Sequence, residues 1–169
     1  MEKMKEHLLE WLRDAHAAEE QAKTMLSGTA DRVERYPQFS AGLRRHADVS
    51  ERQAQELEQC LNRLGGGTSV IKQLTGKVTA IGQTLSGLVT GDEIIKAALA
   101  VSTYAQMEIS SYRILIAAAN ATGSSDVAAM SERMLAEKEE FAEWVDQQLP
   151  ILTAEFLRRD ETADATAAP

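Results

Sequence analysis

The chain has 169 residues, a formal net charge of −8, 5% aromatic residues and three prolines, a profile that fits one helix-rich domain large enough to bury a hydrophobic core. The acidic balance, with a pI near 4.9, argues against broad binding to nucleic acid or anionic membranes, because neither phosphate nor headgroup is drawn to such a field. The single Cys60 excludes an intramolecular disulfide, no Cys/His cluster has zinc-site spacing, and no segment approaches the roughly 18 apolar residues of a membrane span. Charges throughout MEKMKEHLLEWLRDAH interrupt the apolar run that a signal peptide needs, so a cytoplasmic location is expected.

The first predicted helix runs from about Lys3 to the region of Ser27-Gly28 or a little beyond. Leu8, Leu12, Ala15, Ala22 and Leu26 share one face, and the residue that continues the series between Ala15 and Ala22 is Glu19. An acid stands where a core residue is due, and burying it unpaired costs several kcal/mol, so it calls for a metal, a cation or a proton. After a turn through Tyr36-Pro37, a second periodic run passes through Phe39, Leu43, His46, Ser50, Gln53, Leu57, Cys60 and Leu64, apolar at its ends and polar in its middle. The Gly65-Gly66-Gly67 run stops it.

From Thr68 to Thr90 a heptad through Ile71, Leu74, Val78, Ile81, Leu85 and Leu88 is weakened by Gly76, Gly82 and Gly87, which predicts a long, partly helical crossover. Asp92 is the expected N-cap of the third long helix, whose stripe is Ile94, Ala98, Val101, Ala105, Tyr112, Leu115 and Ala119, with Glu108 filling the remaining slot. The turn around Gly123 leads to a fourth helix, about Asp126 to Leu149, which Pro150 is expected to end or kink. Residues 1–156 form the predicted bundle, and 157–169 an acidic tail without an apolar face, expected to be disordered.

Four long helices joined by short, long and short connections give an all-α, ferritin-like four-helix bundle with the crossover between helices two and three. In such bundles facing carboxylates build metal sites, one Glu from each of two helices and Glu-x-x-His from each of the others. Glu19 to Ser50 is 31 residues, and Glu108 to Glu139 is also 31, which places all four near mid-height. Glu19 and Glu108 suit the single-Glu positions, and Glu139 and Glu143 share a face of helix four one turn apart. Helix four has no histidine, and helix two offers only His46, Ser50 and Gln53 on its stripe. His16, His46 and Gln53 are further candidates for contact with the site. The competing reading of Glu19 and Glu108 is an inter-helix salt bridge, and of Glu137 to Glu143 a solvated acidic face.

The stretches WLRDAHAAEEQA, GDEIIKAAL, EISSYRILIAAA and EWVDQQLP resemble the YciE/YciF-type stress-protein family of ferritin-like bundles, over about Leu8 to Phe156. The resemblance implies a homodimeric bundle linked to bacterial stress responses, with a rubrerythrin-like metal site in which Glu19, Glu108, Glu139 and Glu143 are the ligands. Where similar members have Glu-Glu-Thr followed by Gln or His, this chain has Asp48-Val49-Ser50 and then Gln53. Ala105 stands where an acid is often found, one turn before Glu108. Two functional expectations result. One is a stress-associated metal-binding protein holding one or two iron or manganese ions, an oxidoreductase if they turn over. The other is a dimeric scaffold that binds no metal and uses the crossover from Ile71 to Val89 as its partner surface.

Overall fold

The computed structural model describes residues 2–66 and 92–167, and these form four helices and no strand: α1 (Glu2–Arg32), α2 (Pro37–Arg63), α3 (Glu93–Thr122) and α4 (Ser125–Ala167). The predicted crossover, residues 68–90, lies outside the described residues. Helix α1 continues through Gly28, where no neighbouring atom presses on the backbone. It closes at a turn in which the Val33 N–H donates to the Thr29 carbonyl and the Tyr36 N–H to the Val33 carbonyl. Pro37 then sits in the first turn of α2, where its missing N–H has no helical acceptor to lose. The Ser40 hydroxyl donates to the Ala30 carbonyl at 2.9 Å and ties the turn to α1.

Cross-helix pairs fix the directions. Lys23 with Glu51 and Arg44 with Asp31 make α1 and α2 antiparallel. Arg32 with Glu93 sets α3 antiparallel to α1, and Arg52 with Glu137 and Arg133 with Glu56 set α4 antiparallel to α2. Helices α2 and α3 therefore run the same way. The chain leaves α2 beside Arg13 at one end of the bundle and re-enters α3 beside Arg32 at the other, so the connection joins opposite ends, separated by roughly 40 Å of helix at 1.5 Å per residue. That is the predicted ferritin-like connectivity.

Gly123, at φ +70°, adopts the left-handed geometry that ends α3, and the Ser124 N–H reaches back to the Ala119 carbonyl at 2.8 Å. Helix α4 differs from expectation at its far end. It passes through the exposed Pro150 without stopping and continues to Ala167, with residues 157–163 exposed. The junction is held from outside, since the Arg159 guanidinium stacks 4.6 Å over the Tyr36 ring and donates to the Arg35 carbonyl.

The apolar interior is divided in two. One cluster contains Ala22, Leu26, Phe39, Leu43, Val101, Ile109, Phe141 and Val145, and the other Leu8, Leu12, Leu57, Leu61, Leu115 and Met134. Glu19, Ser50 and Lys138 each fall between the two clusters along their own helix, Glu108 lies at the border between Ala105 and Ile109 of the first cluster and Tyr112 of the second, and all four are buried. A polar layer at mid-height is thus enclosed above and below by hydrocarbon.

Candidate functional site

Lys138 is the hub of this layer. It is 0% exposed, and its Nζ donates to Glu19 Oε2 at 2.7 Å and to Glu108 Oε1 at 3.0 Å. Ser50 Oγ lies 3.3 Å away and His46 Nε2 3.5 Å away. An ammonium has three protons. Two are committed to the carboxylates, and the third is shared between the hydroxyl and the imidazole of α2. Each of the other three helices therefore supplies acceptors to a single cation carried by α4.

The surrounding groups set the protonation of the cluster. Burial, and then the Lys138 charge, pull His46 down to about 2, so its ring is neutral, and the tautomer that accepts from Lys138 through Nε2 carries its proton on Nδ1. The ring lies flat on Phe141, with centroids 3.6 Å apart and planes 2° from parallel. Burial pushes the Glu108 carboxyl up to about 8, with Glu19 adding to the rise and Lys138 opposing it. The shift favours the protonated form of Glu108 in the native bundle, and its Oε2 has no hydrogen-bond partner among the described residues.

Glu19 is satisfied on both oxygens. Tyr112 donates its hydroxyl to Oε1 at 2.6 Å while Lys138 holds Oε2. Tyr104, two turns earlier on α3, donates to the Ala18 carbonyl at 2.6 Å. Burial raises both phenols first, and the neighbouring Glu19 and Glu108 raise them further. Both remain donors, and together they lock α3 to α1 on either side of Glu108.

The structure brings two of the four predicted ligands together. Glu19 and Glu108 are 1% and 2% exposed and share the Lys138 ammonium. Glu139 and Glu143 are not at this centre. Glu139 is 47% exposed and pairs with Arg113 at 2.8 Å, and Glu143 is also exposed and accepts from Gln147 at 3.5 Å. The offset is one residue. Lys138 follows Glu108 by 30 positions rather than 31, and one residue turns a helix by about 100°, which carries Glu139 out to solvent. Ser50 does reach the centre, as its spacing from Glu19 predicts. Gln53 is buried but donates to Glu137, which also pairs with Arg52. His16 is buried with Nδ1 unpartnered among the described residues.

A ferritin-like metal centre requires several facing donors around an open position. The donors present are two carboxylates, one imidazole and one hydroxyl, and the point on which they converge is filled by Nζ. Among the described residues no three His, Cys, Asp or Glu side chains are gathered as a metal-binding group. The residues do not fit a resident metal.

Comparison with known proteins places the chain. The family model for a domain of unknown function, DUF892, matches residues 3–158. The chain belongs to the DUF892 family. A protein of Xanthomonas campestris pv. campestris, XCC3681, has a solved structure with TM-score 0.78 and 28% identity over 94% of this chain and 99% of that one. The bacterioferritin of Desulfovibrio desulfuricans, whose structure was determined for its diiron site, has TM-score 0.72 and 16% identity over 90% of this chain and 84% of its own. YcfI, a proposed structural protein from Rhodopseudomonas palustris, has TM-score 0.66 and 22% identity over 85% and 92%. The match to bacterioferritin confirms the ferritin-like four-helix bundle. Among the described residues no helix is long and apolar enough to cross a membrane.

Lys138 is the residue that the sequence reading missed. Its signal was present, because Ser131, Met134, Lys138, Phe141 and Val145 alternate spacings of three and four and all are buried. The run Glu137-Lys138-Glu139-Glu140 conceals it as one basic residue on an acidic surface.

Proposed function

We propose that this chain is a ferritin-like bundle of the YciE/YciF type that serves as a non-catalytic, dimeric scaffold in the cytoplasm, with an internal lysine at the centre of its buried polar layer. The observation that carries the reading is the Lys138 Nζ lying 2.7 Å from Glu19 and 3.0 Å from Glu108. A divalent ion placed there would face an ammonium at contact distance. In a medium of low dielectric that repulsion outweighs what two carboxylates offer. Redox chemistry at the centre also requires access, and the layer is closed above and below by the two apolar clusters. The partner surface of the proposed homodimer is the segment from Ile71 to Val89.

The test is metal content by plasma mass spectrometry on untagged protein purified without chelator, with the Glu19→Ala, Glu108→Ala variant alongside, and light scattering for the mass in solution. Trace metal in both proteins and a two-subunit mass are the expected results. Near-stoichiometric iron or manganese in the wild type that disappears in the variant overturns the scaffold reading in favour of a metal-dependent oxidoreductase.

A further inference from the structure

We propose that the outward face of α3 is a self-association surface, on which a second copy of this chain packs through an antiparallel two-fold contact centred between Gln106 and Met107. The inference rests on the homodimer reading and deepens it, because it assigns a described face to the contact and fixes its register.

Between Ala97 and Thr122 the sequence has two charged residues, Glu108, which is buried, and Arg113. Arg113 is drawn to the edge of the face by its pair with Glu139 of α4 at 2.8 Å. Leu99, Thr103, Gln106, Ser110 and Ile114 are all exposed, and spacings of four, three, four and four residues place them on one side of the helix. Leu99 is 64% and Ile114 53% exposed, and the Thr103 hydroxyl is satisfied within the helix by donating to the Leu99 carbonyl at 2.9 Å. The outward sides of the other helices carry charges such as Glu10, Asp48 and Glu140. A helix that is apolar on its core side and nearly uncharged on the other suits packing on both, and depletion of charge marks the core of an interface.

Charge and symmetry select the occupant. With a formal charge of −8 on each copy, a contact centred on α3 keeps the acids of α4 outside it and avoids like-charge apposition. A two-fold contact is isologous, so residue i meets j and j meets i. With the axis between residues 106 and 107, Leu99 of one copy meets Ile114 of the other, Thr103 meets Ser110, and Arg113 meets Ala100. The exposed large side chains thus cover each other at both ends, and the two copies of Arg113 stay about 20 Å apart. Helix α3 has 30 residues. At about 45 Å long and about 10 Å wide, the two faces offer roughly 900 Å² together, near the ~1,000 Å² of a specific interface. The proposed crossover surface joins α3 at Asp92, so the two are continuous along the chain.

The experiment measures mass by sedimentation equilibrium and stability by urea unfolding for the wild type, for Leu99→Glu with Ile114→Glu, and for Leu99→Lys with Ile114→Glu. The first variant sets acid against acid at both ends of the contact, and the second sets base against acid. The wild type should have a two-subunit mass, the acid–acid variant should dimerise at least about 100-fold more weakly, and the base–acid variant should return to within about tenfold of wild type. Urea midpoints should stay within about 0.3 M of one another once the subunits are separated by dilution, because both positions are exposed. Gln106→Cys, next to the axis, should join two subunits through a short bis-maleimide, and Leu99→Cys should not, with the wild type, whose Cys60 is buried, as the control. A wild-type dimer indifferent to the paired acids, a base–acid variant as weak as the acid–acid one, or cross-linking at Leu99→Cys overturns the proposal and leaves the homodimer reading intact. A lowered urea midpoint with an unchanged two-subunit mass assigns the face to a contact within its own chain and overturns it as well. A wild type that is monomeric at every concentration overturns both readings.

Discussion

Replacing Lys138 by methionine preserves an unbranched side chain and deletes the charge. In the wild type Nζ balances Glu19 and donates to Glu108 in a layer buried from solvent. After substitution Glu19 keeps only the Tyr112 hydroxyl, and removing one partner of a buried ion pair typically costs about 3–5 kcal/mol. Whole domains are stable by about 5–15 kcal/mol, so the variant should fold but lose a large share of its margin. With a urea slope of about 2 kcal/mol/M, the unfolding midpoint followed by circular dichroism at pH 8 should fall by roughly 1.5–2.5 M. At pH 5 the fall should be smaller, because an unpaired buried carboxylate is relieved by taking up a proton. Adding Glu19→Gln and Glu108→Gln to Lys138→Met should restore at least half of the loss, since a neutral layer has no charge left to compensate. A midpoint shift under about 0.5 M at both pH values, or a triple variant no more stable than the single one, would show that the ammonium is not what holds the layer together.

The same groups give the wild type a characteristic pH profile. Glu108, raised from 4.5 to about 8, keeps a proton that the unfolded chain has lost, so it removes stability as pH rises through that interval. His46, lowered from 6.5 to about 2, stays neutral where the unfolded chain is protonated, so it removes stability as pH falls below 6.5. The two slopes, each about 1.4 kcal/mol per pH unit, oppose between 4.5 and 6.5, and urea midpoints should show a plateau there with decline on both sides; a steady rise from pH 6.5 to 8 would contradict the placement of Glu108. Gly42→Ala should cost about 1–3 kcal/mol, because a Cβ there would meet the Trp144 indole at 2.1 Å, and a thermal midpoint equal to wild type would refute that packing. Tyr112→Phe removes the hydroxyl from Glu19 Oε1 and should cost about 1.5–3 kcal/mol in urea unfolding. Glu139→Ala breaks, among the described residues, the exposed pair with Arg113 and should change stability by less than about 1 kcal/mol, whereas a loss as large as that of Glu19→Ala would return Glu139 to the centre.

How much of this was legible in the sequence depended on whether a residue's surroundings lay along its own helix. Glu19 and Glu108 could be found because each interrupts an otherwise apolar stripe, and Leu8, Leu12, Ala15, Ala22 and Leu26 on one helix and Ile94 to Ala119 on the other fixed the phase without ambiguity. The buried faces of α2 and α3 follow the predicted series, except that Leu64 is exposed at the α2 terminus. Helix α4 was harder, since two competing stripes, one through Leu135 and Ala142 and one through Met134 and Phe141, left its rotation open by about one residue. At 100° per residue, that error exchanges Lys138 for Glu139 and turns a cation into an anion. The extension past Pro150 was illegible for a different reason. Arg159 stacked on Tyr36 and bonded to the Arg35 carbonyl is a contact across 124 positions in sequence, and no local rule about proline anticipates it.

A buried acid in a helical stripe therefore constrains a site only up to the sign of its partner. Glu19 demanded a positive counterpart, and both a metal and an ammonium answer that demand; the choice lay in a residue 119 positions away on a different helix. The two solutions are not equivalent for a bundle. A metal delivered from solution makes the fold's stability depend on its supply and leaves coordination positions for exchange. A lysine on α4 is always present and makes the layer self-sufficient, but its three protons are already directed at Glu19, Glu108 and the Ser50–His46 pair. That fixed direction argues for register as the benefit. Sliding α4 by one residue would bring Glu139 toward Glu19 and Glu108 and place three acids together without a cation, an arrangement that the low-dielectric interior strongly rejects. The ionic layer thus selects one rotation of α4 among the apolar packings that Met134, Leu135, Phe141 and Ala142 would otherwise permit.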